Sequence, residues 1–263
     1  SAGGGLTGTY PNPSILNKPV LIFRPGGVAS DNVFTTWSSL MGAFNATTGP
    51  VTIAIDDSIS PASTSSGTHD MQGRATFTSI STNYSVYATL IIPNGAALKN
   101  PAVFKSSLYI SLQSVSSPNL QLTDGYGLTL DDGVVLQNFV GNQPAIRTSS
   151  TDTIYLFFKN FSLYDNYNAS PSKNTELVDL SASGSSAYLF FKNYDQINSN
   201  YLVSGVSGSS LYFSYDSSFN FNSNSVLPTN PRFYGTTFTY PTDNSALVVY
   251  NDTVPNLGST NVQ

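Results

Sequence analysis

The chain of 263 residues carries ten Lys and Arg against fifteen Asp and Glu, has a formal net charge of −5, and contains one His and no Cys. This composition excludes disulfides, thiolate metal sites and an imidazole cluster for zinc. The cations are scattered rather than grouped in a basic stripe, which argues against nucleic acid as a partner. No apolar run is long enough to insert into a membrane.

The amino-acid usage predicts an all-β protein. Fourteen of the fifteen acidic residues are Asp, which favours turns, and only Glu176 is Glu, which favours helices. Aromatic residues make up 13% of the chain and charged residues 10%, which is the reverse of the usage in disordered chains. We therefore expect a folded chain in which helix is the exception.

Residues 1–20 predict an extended N-terminal arm or linker, because they are rich in Gly and Pro and have no periodicity. Within this arm, residues 2–13 read AGGGLTGTYPNP. They closely resemble the phrase AGGDLTGTYPNP, which recurs in bacteriophage tail fibres and related viral fibre proteins; Gly5 replaces the usual Asp. The resemblance implies a virion surface appendage that attaches to host cells. The alternative is a generic flexible arm.

The following segment predicts the one convincing helix, over about residues 31–46. Asp31 or Asn32 offers an N-cap, after which apolar side chains recur at helical spacing. These side chains are Val33, Trp37, Leu40, Met41 and Phe44. A lone amphipathic helix ahead of a stack of strands is expected to cap the open end of that stack. The alternative is a surface helix that binds a partner.

From Pro50 onward, short runs of aromatic, β-branched and aliphatic residues alternate with clusters of Asn, Ser, Asp and Gly, which predicts strands. Residues 155–161 read YLFFKNF, residues 188–194 read YLFFKNY, and residues 134–139 give the shorter echo VVLQNF. Self-similarity of this kind indicates one supersecondary unit that is stacked repeatedly.

The breaks between the runs vary in length, which favours the coils of a parallel β-helix over two-residue hairpins. Residues 21–57 combine a strand, a Gly-Gly turn, a Trp-centred helix and a strand that ends in Asp-Asp. This order resembles the beginning of right-handed parallel β-helices of the pectate-lyase-like class. We therefore expect a single-stranded right-handed parallel β-helix of about eight coils over residues 21–250, followed by a C-terminal tail over residues 251–263.

Asn138, Asn160 and Asn193 occupy the same position in the three echoes. An Asn at a repeated corner can hydrogen-bond the backbone of the coils above and below it, so these residues are candidates for a structural ladder. The alternative is that Asn ends strands because it tolerates turn conformations.

The sequence gives little support for a catalytic site. The adjacent carboxylates Asp56-Asp57 and Asp131-Asp132 could serve glycoside hydrolysis, which needs two carboxylates about 5 to 9 Å apart. Neighbouring strand residues point to opposite faces, however, and each pair lies where a run stops, so turn chemistry explains them. His69 lies in a polar segment without a GxSxG nucleophile turn, so we expect an exposed loop histidine. We nominate no catalytic residue, no metal site and no cofactor.

An exposed aromatic patch is the best candidate for a binding surface. Tyr164, Asn166 and Tyr167 follow a predicted strand and combine polar-tipped aromatic rings with an amide, a mixture used for glycan stacking and subunit contacts. Ordinary loop decoration is the alternative.

The function expected from these observations is structural and adhesive, in a viral fibre or spike that mediates attachment to a host surface without catalysis. The fibre resemblance implies a homotrimer that contacts other virion proteins and a host-surface glycan or receptor. One alternative is a polysaccharide depolymerase, either a lyase or a glycoside hydrolase, on the same scaffold. Another is a bacterial surface adhesin.

Overall fold

The chain folds, in this computed structural model, mainly into short strands. The described residues are 6–7, 14–15, 19–81, 87–105, 107–115, 117–123, 125–131, 133–138, 144–148, 153–159, 162–165, 176–180, 186–192, 201–205, 210–215, 219–220, 232–234, 238–239 and 248–250. Side chains are described for nearly all of these residues between 19 and 137, and beyond 137 only for residues 144–147, 154–157 and 178–179.

Four strands precede the only helix of the described residues: β1 (Leu6–Thr7), β2 (Ser14–Ile15), β3 (Val20–Phe23) and β4 (Val33–Phe34). The helix is α1 (Trp37–Ala46). It is followed by β5 (Val51–Asp56), β6 (Ala62–Ser63), β7 (Gly67–Asp70), β8 (Ala75–Ser81), β9 (Ala88–Ile92), β10 (Ala96–Lys99), β11 (Val103–Phe104), β12 (Leu108–Leu112), β13 (Leu120–Leu122), β14 (Gly127–Leu130), β15 (Val135–Asn138) and β16 (Ile146–Thr148). The later strands are β17 (Thr153–Lys159), β18 (Ser162–Asp165), β19 (Glu176–Leu180), β20 (Ser186–Lys192), β21 (Tyr201–Gly205), β22 (Ser210–Tyr215), β23 (Phe219–Asn220), β24 (Arg232–Tyr234), β25 (Phe238–Thr239) and β26 (Val248–Tyr250).

Three parallel sheets contain nearly all of these strands. The largest has eleven strands in the order β26-β24-β22-β20-β17-β14-β11-β8-β5-β3-β4. A six-stranded sheet has the order β21-β19-β16-β13-β10-β7, and a five-stranded sheet has the order β18-β15-β12-β9-β6. Between β5 and β19 the chain enters the eleven-, five- and six-stranded sheets in that order five times. Each strand from β5 to β17 therefore pairs with the strand three positions further along.

The two YLFFK repeats lie in adjacent strands and in register. Strands β17 and β20 of the eleven-stranded sheet pair over their whole length, and Phe157 lies opposite Phe190. This pairing confirms that the sequence repeat is a stacked unit. The described part of the chain is thus mostly β-strand in parallel sheets with one helix, as the sequence predicts.

The core consists of apolar rows in which each side chain stacks on its register partner in the next strand. In the eleven-stranded sheet, one fully or nearly fully buried row consists of Leu21, Ile53, Phe77, Phe104 and Leu130. The rings of Phe77 and Phe104 stack with centroids 4.9 Å apart. Burial of one such side chain contributes about 1.5 to 3 kcal/mol, so the rows together provide the main stabilisation.

The other two sheets contribute equivalent rows to the same core. The six-stranded sheet contributes Leu98, Leu120, Ile146 and Val178, and the five-stranded sheet contributes Ala62, Leu90, Ile110 and Leu136. All of these side chains are fully buried. The three sheets therefore enclose one continuous hydrophobic core.

The helix begins later than predicted, and Val33 is not part of it. Val33 lies in β4, where backbone pairing with β3 is supported by hydrogen bonds from Ile22 N to Asn32 O and from Arg24 N to Phe34 O. This pairing fixes an extended backbone and overrides the helical spacing of Val33. The N-cap is accordingly Thr36, whose Oγ1 accepts a hydrogen bond from Ser39 N at 3.2 Å.

The helix packs against the first strands of the sheets. Trp37, Leu40 and Phe44 are buried in the core, and Met41 packs against it while partly exposed. The ring of Trp37 contacts Phe23 of β3 edge-on, with centroids 5.4 Å apart. The helix therefore covers apolar side chains at the end of the sheets where the chain begins. The capping role itself stays a prediction.

Arg74 holds the C-terminal end of the helix. Its Nη2 donates to Phe44 O at 2.9 Å, its Nη1 donates to Thr47 Oγ1 at 3.1 Å, and its guanidinium lies 3.9 Å from the centroid of the Phe44 ring. A cation is favoured here because the last carbonyls of a helix carry partial negative charge and an aromatic face attracts it.

We predict that Phe104→Ala lowers the free energy of unfolding by about 3 to 5 kcal/mol, because it leaves a cavity in the stacked row. The measurement is urea denaturation followed by circular dichroism. Val28→Ala is the control, since Val28 is 85% exposed and its truncation should change stability little. Equal effects of the two variants would contradict the assignment of this row to the core.

Candidate functional site

The prediction that Asn138 belongs to a structural asparagine ladder is wrong. Asn138 ends β15 in the five-stranded sheet, where its register partners are Leu112 and Asp165. The YLFFK strands, which end at Lys159 and Lys192, pair in the eleven-stranded sheet. The echo at residues 134–139 therefore lies in a different sheet from the YLFFK strands and does not stack on them. Asn160 and Asn193 lie outside the described residues.

Asn100 makes the kind of cross-layer bond that was predicted for those residues. It is 1% exposed, and its φ of 50° lies in the left-handed region that Asn tolerates. Its Oδ1 accepts hydrogen bonds from Thr123 N at 2.9 Å and Thr123 Oγ1 at 3.1 Å, and its backbone O accepts from Gly73 N at 2.9 Å. Through its side chain and its backbone carbonyl, Asn100 thus links three successive turns of the chain.

A glycine is required beside this corner. Gly73 has a φ of 65°, and a Cβ at this position would collide with the ring of Tyr126 from a later turn. The corner is therefore fixed by a close approach of backbone to ring as well as by hydrogen bonds.

Asn119 is the second buried asparagine that joins two layers. It is 3% exposed; its Nδ2 donates to Ala96 O at 2.7 Å, and its Oδ1 accepts from Ser114 N at 2.9 Å. In the same corner, Asn94 Oδ1 accepts from Val115 N at 3.1 Å. The sequence signal for these residues is weak: each lies in a turn close to the start of a short apolar run, which many exposed Asn also do.

Tyr164 of the predicted aromatic patch lies in a strand and not in a loop. Tyr164 lies inside β18, opposite Gln137 of β15. Asn166 and Tyr167 lie outside the described residues, so their part of the patch stays a prediction. The large aromatic side chains that are exposed among the described residues are instead Tyr155 and Phe157, each 40% exposed on the eleven-stranded sheet.

Arg24 and Asp56 form the most buried ion pair of the described residues. Arg24 Nε donates to Asp56 Oδ2 at 2.6 Å, and Asp56 is 1% exposed. The other oxygen, Oδ1, accepts from Ser58 N at 3.1 Å and from Ser58 Oγ at 2.5 Å. Burial by itself raises the pKa of the Asp56 carboxyl, but the hydrogen bonds from Ser58 and Arg24 outweigh burial and hold the pKa below its usual value.

The neighbouring carboxylate of Asp57 binds another strand. Its Oδ2 accepts a hydrogen bond from Thr89 N of β9 at 2.9 Å, and its Oδ1 is buried without a hydrogen-bond partner in the described part of the chain. The two adjacent carboxylates therefore bind different parts of the fold. This arrangement agrees with a structural role for the pair and gives them no shared ligand.

His69 packs against the helix from strand β7. Its ring lies 5.6 Å from the ring of Trp37 in an edge-on contact, and its Nε2 lies 2.9 Å from Ser65 O. Since a carbonyl only accepts, Nε2 carries a proton and donates. The residue is partly buried in a strand, whereas its polar sequence context predicts an exposed loop.

A row of polar and charged residues runs along the six-stranded sheet. Its members, in register from strand to strand, are Asp70, Lys99, Gln121, Arg147 and Asp179. Lys99 Nζ lies 3.9 Å from Asp70 Oδ2, and Arg147 Nε lies 2.8 Å from Asp179 Oδ2. Ion pairs of this kind across neighbouring strands support the register but contribute little stability when they are exposed.

No group of three or more His, Cys, Asp or Glu that could hold a metal ion is present among the residues whose placement is described. In the same part of the chain, no helix is long and apolar enough to cross a membrane. Comparisons of the chain with protein-family models, with curated proteins and with solved structures find no match.

We predict that Asn119→Ala lowers the free energy of unfolding by about 2 kcal/mol, because it leaves Ser114 N and Ala96 O buried without partners. Urea denaturation measures the change. The matched control is Asn45→Ala, an exposed position of α1, which should unfold close to the wild-type midpoint. If Asn119→Ala unfolded at the same urea concentration as the wild type, the amide of Asn119 would not contribute to stability.

A second prediction concerns acid stability. Because the pKa of Asp56 is lower in the folded protein, the unfolded chain binds more protons below the usual carboxyl value of 3.8. The stability contributed by this carboxylate is therefore complete above that pH and is lost as the pH falls through the folded pKa. Asp56→Asn should flatten this part of the stability profile, and Ser58→Ala should make it shallower. If the free energy of unfolding of wild type and of Asp56→Asn changed with pH in the same way below pH 4, the acid-labile stability would not come from Asp56.

Proposed function

We propose that the chain is a right-handed parallel β-helix that serves as a structural rod in a viral fibre or spike and mediates attachment to a host surface without catalysis. In this proposal, each passage through the three sheets is one coil, and the expected number of about eight coils applies to the rod as a whole. The helix α1 closes the N-terminal end of the rod.

The observation that carries the proposal is the in-register stacking of short parallel strands. Strands of the eleven-stranded sheet from β3 to β26 would span about 43 Å at one strand spacing per layer. Such a stack grows by adding similar layers, keeps its side faces in fixed register and presents loops at its corners. These properties suit an elongated attachment device.

The fibre phrase at residues 2–13 supports the placement of this rod on a virion. It implies assembly as a homotrimer, contacts with other virion proteins, and a host-surface glycan or receptor as the partner. Three acidic side chains are bound within the fold, which favours a structural role for these three. Asp56, Asp57 and Asp179 are bound by Arg24 with Ser58, by Thr89 N and by Arg147, respectively.

The test uses the purified, fluorescently labelled chain and a panel of bacterial strains. We expect saturable binding to a subset of strains, competed by soluble surface polysaccharide from the same strains, with no release of reducing ends or unsaturated uronates. Ile110→Asp is the control, because a charge in the core should unfold the rod and abolish binding. Binding that survives this change would contradict a role for the folded rod.

Two other outcomes would replace the proposal. Release of reducing ends or unsaturated uronates from the polysaccharide would identify a depolymerase. Antibodies raised against the chain should label virus particles from the source culture and block their adsorption. Labelling of bacterial surfaces alone would identify an adhesin.

A further inference from the structure

The turn between β9 and β10 contains the only Asn-Gly pair of the sequence, Asn94-Gly95. Ala96 N donates to Pro93 O at 3.1 Å and closes the turn. Gly95 lies at the third position of this turn with a φ of 77°, in the left-handed region that glycine adopts readily. Both residues of the pair are exposed. Water therefore reaches the side-chain amide and the peptide bond that follows it.

An Asn side chain that precedes Gly can react with its own backbone. The backbone N of Gly95 attacks Asn94 Cγ, a C–N bond forms in a five-membered succinimide, and Nδ2 leaves as ammonia with the proton that Gly95 N gives up. Water then adds to either carbonyl of the ring and opens it to aspartate or to isoaspartate. The attack is intramolecular, which favours it, and the sequence of steps consumes only water. Glycine permits the attack best because no Cβ shields its N.

The hydrogen bonds of the Asn94 side chain support this attack. Its Oδ1 accepts from Val115 N at 3.1 Å and from Ser114 Oγ at 3.4 Å. Negative charge develops on this oxygen when Cγ is attacked, and donors aimed at such an oxygen stabilise the transition state. In the part of the chain that the structure describes, neither Asn94 Nδ2 nor Gly95 N donates a hydrogen bond. The leaving group and the attacking atom are therefore not held by other described residues.

Three other asparagines of the described residues lack this combination. Asn100 is 1% exposed and precedes a proline, whose N carries no proton to give up. Asn119 is 3% exposed, and its Nδ2 donates to Ala96 O at 2.7 Å. Asn45 is exposed, but it precedes an alanine inside α1, where the helical backbone is fixed. Sequence and structure together therefore single out Asn94.

We propose that Asn94 is a site of spontaneous deamidation, and that the reaction alters the corner at which residues 93–96 meet residues 114–119. An aspartate at position 94 keeps an acceptor for Val115 N. An isoaspartate continues the chain through its side-chain carbon, which lengthens the backbone by a methylene and displaces the carboxylate from Val115 N. The isoaspartate form therefore has a weaker corner. This inference does not depend on the attachment role.

The test is incubation of the full chain at physiological temperature and mildly alkaline pH, followed by trypsin digestion and fragmentation mass spectrometry. Cleavage after Arg74 and after Lys99 gives one peptide that contains both Asn94 and Asn83. Asn83 is the internal control, because the side chain of the following Tyr84 shields its N. Asn94 should convert at least about tenfold faster than Asn83. Equal conversion of the two residues would overturn the proposal.

The same incubation in urea separates the contribution of the fold from that of the sequence. Because the pair is exposed and donors face Oδ1, the folded chain should convert Asn94 at a rate within about tenfold of that of the unfolded chain. A larger protection in the folded chain would show that the fold shields the pair, and it would overturn the proposal. This comparison uses only the wild-type protein, so it does not depend on whether a variant folds.

Urea denaturation measures the effect on the corner. Freshly purified Asn94→Asp should unfold near the wild-type midpoint, because its carboxylate accepts the same hydrogen bonds. The isoaspartate fraction of the incubated protein, separated by ion exchange, should unfold at a lower urea concentration. Asn94→Gln is the control for the incubation, since its longer side chain does not close the five-membered ring and position 94 should keep its amide. If the isoaspartate fraction unfolded at the same urea concentration as Asn94→Asp, the proposed weakening of the corner would be wrong.

Discussion

The structure depends on the stacking of apolar side chains on their register partners from one layer to the next. No single short strand, such as Val103–Phe104, could bury its own apolar side chains. Phe104 is buried because Phe77 lies on one side of it and Leu130 on the other, with contributions from the other two sheets. Stability is therefore shared between neighbouring layers, as in other repetitive folds. The helix supplies the same kind of cover for the first layer.

Polar groups at the corners meet a different constraint. Where the chain leaves one sheet for the next, backbone groups lose their ladder partners, and a buried group without a partner is costly. Asn100 and Asn119 supply these partners across layers, and Arg74 does so at the end of the helix. The Arg24 and Asp56 pair occupies a comparable position beside the first layers. These side chains fix the corners, which in turn fix the register of the sheets.

The core and corner residues have structural roles. The outer faces of the sheets are therefore the remaining candidates for a binding surface. The six-stranded sheet has a charged row with two ion pairs of its own, and the eleven-stranded sheet exposes the aromatic residues Tyr155 and Phe157.

The sequence by itself determined the type of structure and its repetition: short strands, one helix centred on Trp37, and YLFFK strands that stack, with Tyr155 opposite Tyr188. These features follow from local residue chemistry and from direct similarity between segments. Only the tertiary structure decided that Asn138 belongs to another sheet, that Val33 pairs as a strand, and that Asn100 and Asn119 join layers. The reason is that the corners differ in length, so register partners such as Leu98, Leu120 and Ile146 are unevenly spaced along the chain. A pairing between distant segments is set by the closure of the whole core, and no local pattern contains that information.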